Sequence, residues 1–209
     1  MVRSSAQEIN IETHFLSSKH TTPFWIASNN NAIYENGSIL NFKIKEKKGS
    51  LLYKLNLVLP RSFDFNEILL YDSELIYKKN NILYGLSKKN SNHNNNFLSS
   101  GSLIESKNSV GIPRFFIGNF NFKKIKILNS RFDYKFSISH GWLDKAKYKK
   151  DPLLHEKTLH IKKNILDSDF TLGLRHFAIW GGETIFHGHQ SRSLSDFLKV
   201  FFARPGSNR

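Results

Sequence analysis

Oily and polar residues alternate along much of this chain with a period of two, as strands with two unlike faces require. Ile9, Ile11, Thr13 and Phe15 alternate with Asn10, Glu12 and His14, a short strand. In Ser38–Lys45, Leu40, Phe42 and Ile44 share one face, with Asn41, Lys43 and Lys45 on the other. After the turn Glu46–Ser50, the run Leu51–Leu59 puts Leu51, Tyr53, Leu55, Leu57 and Leu59 opposite Lys54 and Asn56. The two runs predict a hairpin. The segment Glu67–Lys78 sets Asp72 and Glu74 on one strand face with Ile68, Leu70 and Ile76, and with Asn81–Leu86 it predicts a second hairpin. Arg131–Ser139 has an oily face of Phe132, Tyr134, Phe136 and Ile138 against Asp133, Lys135, Ser137 and Ser139. Leu159 and Ile161 alternate with His160 and Lys162, and a turn at Asp167–Asp169 leads into Phe170–Ile179.

Asn90–Asn96 is polar loop filler, Ser99–Arg114 is rich in Ser and Gly, and Leu143–Asp151 is a basic, polar loop. Pattern changes at the far end: Leu194, Phe197, Leu198 and Phe201 follow helical spacing. Ser193 with Asp196 three residues on makes a capping box with Asp for the usual Glu, so a helix is expected over Ser193–Phe202. No linker divides the 209 residues, which read as a single domain.

Runs of nine residues such as Leu51–Leu59 and Arg131–Ser139 match the length of a tilted strand crossing a bilayer. Strands in lipid present an apolar face outward and tolerate a polar face inward. A soluble antiparallel sheet with one wet face gives the same alternation. No run of 18 apolar residues exists, so no transmembrane helix is expected; barrel strands need none. Met1–Glu12 lacks the apolar core of a signal peptide.

Charge adds a partner class: 31 Lys and Arg against 17 Asp and Glu give +14, which attracts nucleic acid, anionic lipid or acidic polysaccharide. A single-strand nucleic-acid binder would place its Lys and aromatic residues on one face. Here Phe132, Tyr134 and Phe136 face away from Lys135, and Phe42 faces away from Lys43, so nucleic acid is not the expected partner. There are no cysteines and hence no disulfide or thiolate metal site. His187 and His189 could share a strand face, but no third ligand is fixed by spacing, and no metal or cofactor is expected. No acid pair suits glycoside hydrolysis, no Ser-His-Asp set can be assembled and no glycine loop cradles phosphate, so the chain does not read as an enzyme.

Five elements in order resemble one family. They are Thr22–Asn30 (TPFWIASNN), Ser99–Arg114 (SSGSLIESKNSVGIPR), Ser139–Asp144 (SHGWLD) with Leu153–His160 (LLHEKTLH), Leu174–Gly182 (LRHFAIWGG) and Ser193–Ser207 (SLSDFLKVFFARPGS). Together they resemble the capsule-assembly Wzi family in its Bacteroidetes form, with Ile179 standing where that family usually has Gln. The resemblance covers the N-terminal half of family members. It implies a mainly β fold: part of an antiparallel transmembrane β-barrel of the bacterial outer membrane, with short periplasmic helices, so the Ser193–Phe202 helix is expected to pack on its own barrel as a plug or periplasmic cap. It implies a role in assembling or attaching capsular polysaccharide at the surface, with that glycan and outer-membrane lipid as partners. On that basis the chain is expected to be a piece of a longer barrel that does not insert stably alone. Trp25, Trp142 and Trp180 are candidate glycan contacts, because aromatic faces pack on sugar C–H faces; girdle placement at the headgroups is the competing role. Lys43, Lys54 and Lys135 on the polar faces are candidates for contacting an acidic glycan. The alternative is a soluble basic β-sheet protein that binds single-stranded nucleic acid or another polyanion.

Overall fold

A computed structural model describes residues 6–16, 37–61, 69–89, 105, 111–127, 130–143, 150–184 and 188–204. Its contacts group the chain into two compact units, residues 1–77 with 86–112 and residues 78–85 with 113–209. The fold is mainly antiparallel β.

In the first unit β1 (Ala6–Leu16), β2 (Gly37–Lys48) and β3 (Leu51–Arg61) pair antiparallel in that order. Residues directly opposite one another share a face. Ile11, Phe42 and Leu57 therefore form one apolar row, and Ile9, Ile44 and Leu55 the next. Asn10, Lys43 and Asn56 form a row on the opposite face, beside Glu8, Lys45 and Lys54. The expected first hairpin is present and runs longer than the alternation alone indicated.

The next segment splits in two: β4 (Leu69–Leu70) and β5 (Ser73–Lys79) both pair with β3. Asp72 between them has φ of 43°. That break in the extended backbone interrupts the alternation, so Leu70 lies opposite Leu57 on the apolar face while Glu74 lies opposite Lys54 on the polar one. The single face expected for Leu70, Asp72 and Glu74 is thus corrected; Ile68 lies outside the described residues. Asn80 and Asn81, both at positive φ, join β5 to β6 (Ile82–Lys88), the turn of the second expected hairpin.

In the second unit β7 (Pro113–Ile127), β8 (Ser130–Trp142), β9 (Leu153–Ile165) and β10 (Ser168–Trp180) form an antiparallel meander. Leu166 and Asp167, with φ of 49° and 61°, turn β9 into β10, a residue earlier than the sequence suggested. Tyr134, Ile161 and Leu172 make one apolar row and Phe136, Leu159 and Leu174 another. On the other face run Ser137, Thr158 and Arg175, then Lys135, His160 and Gly173, then Asp133, Lys162 and Thr171. A small ribbon, β11 (Gly182–Thr184) with β12 (Gly188–Gln190), precedes helix α1 (Leu194–Phe201).

Burial inverts the usual order. Leu172 and Leu174 are 76% and 69% exposed and Ile11 is 63% exposed, whereas Asn56 and Glu156 are 2% and 5% exposed. Ile39, Val58, Asn56, Leu154 and Glu156 are buried on the faces that carry the lysines, and the apolar rows are the more open ones except at one end of the second unit's apolar face, where His140, His155 and Trp180 are buried beside Phe197 of α1. Among the described residues β1 pairs only with β2 and β10 only with β9, so the sheet is not closed.

Candidate functional site

The polar face of the second unit is the best-built candidate. Arg114, Glu156 and Arg175 gather there through the pairing of β7, β8, β9 and β10. Glu156 accepts from Arg175 Nε at 2.7 Å and lies 3.5 Å from Arg114 Nη1, so one carboxylate faces two guanidinium groups. Further along, Lys162 sits 3.2 Å from Asp169 and 3.8 Å from Asp133, one cation between two acids. The hydroxyls of Ser137 and Thr158 meet at 2.7 Å.

Between these clusters β7 carries a bulge. Asn119 and Lys123 are four positions apart, whereas their partners Phe136 and Tyr134 are only two apart. Two extra residues keep the parity of the strand while freeing its middle from the ladder. Phe122 then lies against the polar face with two ammonium groups over its ring, Lys135 Nζ at 5.0 Å and Lys162 Nζ at 5.2 Å from the centroid. Asn119, buried in the bulge, accepts from the Phe136 amide at 2.8 Å and donates to the Tyr134 carbonyl at 3.4 Å. Gly118 next to it is obligatory in this geometry: a Cβ there would stand 2.4 Å from the Phe136 carbonyl oxygen.

The lysines named from sequence divide accordingly. Lys43 donates to Glu12 at 2.8 Å, and Lys54 is paired with Asp72. Both are neutralised within their own strands' neighbourhood. Lys135 has no carboxylate partner among the described residues; Phe122 is its aromatic contact.

The tryptophans do not gather. Trp25 lies outside the described residues, as does His187. Trp142 is exposed at the end of β8, its ring 6.0 Å from that of Phe115. Trp180 is buried, with the rings of His140 at 5.6 Å and Phe197 of α1 at 5.8 Å. Helix α1 explains that burial. Ser193 caps it by accepting from the Asp196 amide at 3.1 Å, and Asp196 in return accepts from the Ser193 hydroxyl at 2.6 Å. Hydrogen bonds from Ser193 and Ser191, with Lys199 nearby, hold the Asp196 carboxyl down to about 2. The helix lays Phe197 and Phe201 over His155, whose ring lies 5.9 Å and 5.5 Å from theirs. Neither ring nitrogen of His155 has a hydrogen-bond partner among the described residues. Of the histidines that crowd this part of the sequence, His140 and His155 thus pack against the helix, and His176 lies beside His155, their rings 6.2 Å apart. Among the described residues no group of three or more His, Asp or Glu is placed to hold a metal ion.

Gly181 and Gly182 have φ of 64° and 83°, and a Cβ on Gly182 would meet the Lys150 carbonyl oxygen at 2.7 Å. Their role is a left-handed turn and a close backbone approach, sealed by the Glu183 amide donating to the Lys150 carbonyl at 3.1 Å.

Phe122 and His160 are the members of the polar face that the strand pattern did not single out. The bulge hid the first, because the consecutive Phe115, Phe116 and Ile117 ahead of it blur the two-residue period and the ladder shifts at Asn119. The second was visible only as one of several polar residues in an alternating strand. Comparison with protein-family models, with curated proteins and with solved structures finds no match to this chain.

Proposed function

We propose that this chain forms part of the wall of an outer-membrane β-barrel that helps to assemble or attach capsular polysaccharide at the cell surface. The observation that carries the membrane half is the inversion of burial: rows such as Phe136, Leu159 and Leu174 stay open while Glu156, Arg114 and Asn56 are enclosed. A water-soluble sheet would lose stability by that arrangement, since contiguous apolar surface of this extent normally meets a partner or lipid. Lipid is the solvent that rewards it. Lys157 and Lys163 flank the Leu159–Ile161 patch on the same strand face; Lys157 donates to the Phe201 carbonyl at the end of α1, and Lys163 lies over the Phe132 ring, 5.1 Å from its centroid. Closure in lipid requires further strands beside β1 and β10.

The capsule half rests on the ordered resemblance from Thr22 to Ser207. A polyanion-binding reading has one observation in its favour, the placement of Phe122 on the same face as Lys135 and Lys162. It leaves the open apolar rows without a role.

Fractionation of cells producing the full-length product tests the membrane half. The protein is expected in the outer membrane with heat-modifiable migration on gels, and recovery in the cytoplasmic fraction would overturn it. Deletion of the gene is expected to release capsule from the cells into the medium. Unchanged cell-bound capsule would overturn the second half.

A further inference from the structure

We infer that Phe122, Lys135 and His160 form a subsite for one acidic sugar residue on the polar face of the second unit. The inference deepens the proposed function and rests on the reading of that face as the one that meets polysaccharide.

Three independent features converge there. The first is the bulge, which takes two extra residues, a glycine that cannot carry a side chain and a buried asparagine to hold. Bulges commonly re-aim a side chain at a functional position. This one brings a phenyl ring beside the row of Lys135, His160 and Gly173, while Phe116 and Phe177 lie further along the same face. The second is charge. Lys162 is offset by Asp133 and Asp169, and Arg175 is paired with Glu156, which Arg114 shares. Lys135 keeps its charge without a carboxylate among the described residues, beside an aromatic surface. The third is space. His160 stands opposite Lys135 on one side and Gly173 on the other. A Cβ at Gly173 would come within 2.8 Å of His160 Nδ1, so the imidazole occupies room that only glycine leaves.

The chemistry of such a set is specific. A phenyl ring packs against the C–H face of a pyranose, an ammonium group forms a charge-assisted bond with a carboxylate, and an imidazole can donate or accept with a ring hydroxyl. A uronic acid presents all three within one residue. Nucleic acid fits less well. Sequence-tolerant strand binding uses successive stacking rings along a continuous basic groove. Here a single ring beside Lys135 makes one position rather than a run of stacking rings along a continuous groove.

Titration calorimetry on the whole protein in detergent tests the subsite with three probes: a galacturonic acid pentamer, maltopentaose and an oligothymidine. The galacturonate pentamer is expected to bind best. Lys135→Met and Phe122→Leu are each expected to weaken it roughly tenfold or more, the scale of one hydrogen bond to a charged group. Lys123→Met, which removes a charge from the strand of Phe122 on its opposite face, across from Tyr134, is expected to leave binding within about twofold. Folding of each variant is checked by its circular dichroism. Equal weakening by Lys123→Met and Lys135→Met would reduce the effect to net charge and overturn the subsite. So would tighter binding of oligothymidine, or no binding of galacturonate. None of these outcomes alters where the protein fractionates, so failure of the subsite is distinct from failure of the membrane reading.

Discussion

The side-chain oxygen of Asn119 takes the backbone amide of Phe136 at 2.8 Å, standing in for the carbonyl that the β7 bulge has moved away. Its side-chain nitrogen answers the Tyr134 carbonyl at 3.4 Å. A buried asparagine here performs the ladder's own hydrogen bonding. Asn119→Leu, which keeps the volume and removes both groups, is expected to destabilise the fold by about 1–3 kcal/mol through the orphaned amide and carbonyl. Urea unfolding in detergent reads the loss, and an unchanged midpoint would show that water serves Phe136 equally well.

Glu156 is enclosed with Arg114 and half-open Arg175. Removing one partner of a buried ionic set leaves the other charge uncompensated. Glu156→Gln is expected to cost roughly 3 kcal/mol. Arg175→Gln should cost less than Arg114→Gln, because solvent screens Arg175. The order of the three unfolding midpoints is the test: a cost for Arg175→Gln equal to that of Glu156→Gln would contradict it.

Leu166 occupies the first position of the β9–β10 turn at φ of 49°, and its side chain is almost fully exposed. A leucine pays about 1 kcal/mol for the left-handed region, and asparagine pays less. Leu166→Asn is therefore expected to raise the unfolding midpoint. A lower midpoint would mean that the leucine is anchored by contacts outside the chain, lipid being the first candidate.

Asp196 provides a pH signature for α1. Its carboxyl is held down to about 2 by Ser193 and Ser191. Because the folded value lies below the ordinary 3.8, the cap's contribution is complete above the ordinary value and fades as pH falls through about 2. The Asp196 carboxyl resonance should titrate with a midpoint near 2, and Ser193→Ala should return it toward the ordinary range. A midpoint near 4 in the unaltered protein would disprove the capping interaction.

The alternating strands were legible because their two faces differ in chemistry. Leu40, Phe42 and Ile44 against Asn41, Lys43 and Lys45 left no ambiguity, and the Ser193–Asp196 box fixed the start of α1. β7 was not legible, since Phe115, Phe116, Ile117, Phe120 and Phe122 distribute apolar character over both faces. Asp72 could not be foreseen as a break, because a positive φ at a non-glycine residue leaves no mark on the pattern of oily and polar positions. The same limit applies to the site. Lys135 was marked by pattern, but its distinction from Lys43 and Lys54 lies in what stands opposite each, and sequence alone does not supply that. Trp180 looked like a surface aromatic until α1 covered it.

The connections of the second unit are unequal: two residues join β9 to β10, whereas residues 143–152 join β8 to β9 at the end that α1 covers. In outer-membrane barrels the short turns face the periplasm and the long loops face outward. For the proposed barrel, an epitope tag placed within residues 143–152 should be reached by antibody on intact cells, and one placed at Leu166–Asp167 only after the envelope is opened. The helix and the aromatic cluster beneath it would then face outward, where the family resemblance implies periplasmic helices, and be what a host, a phage or a neighbouring cell meets first.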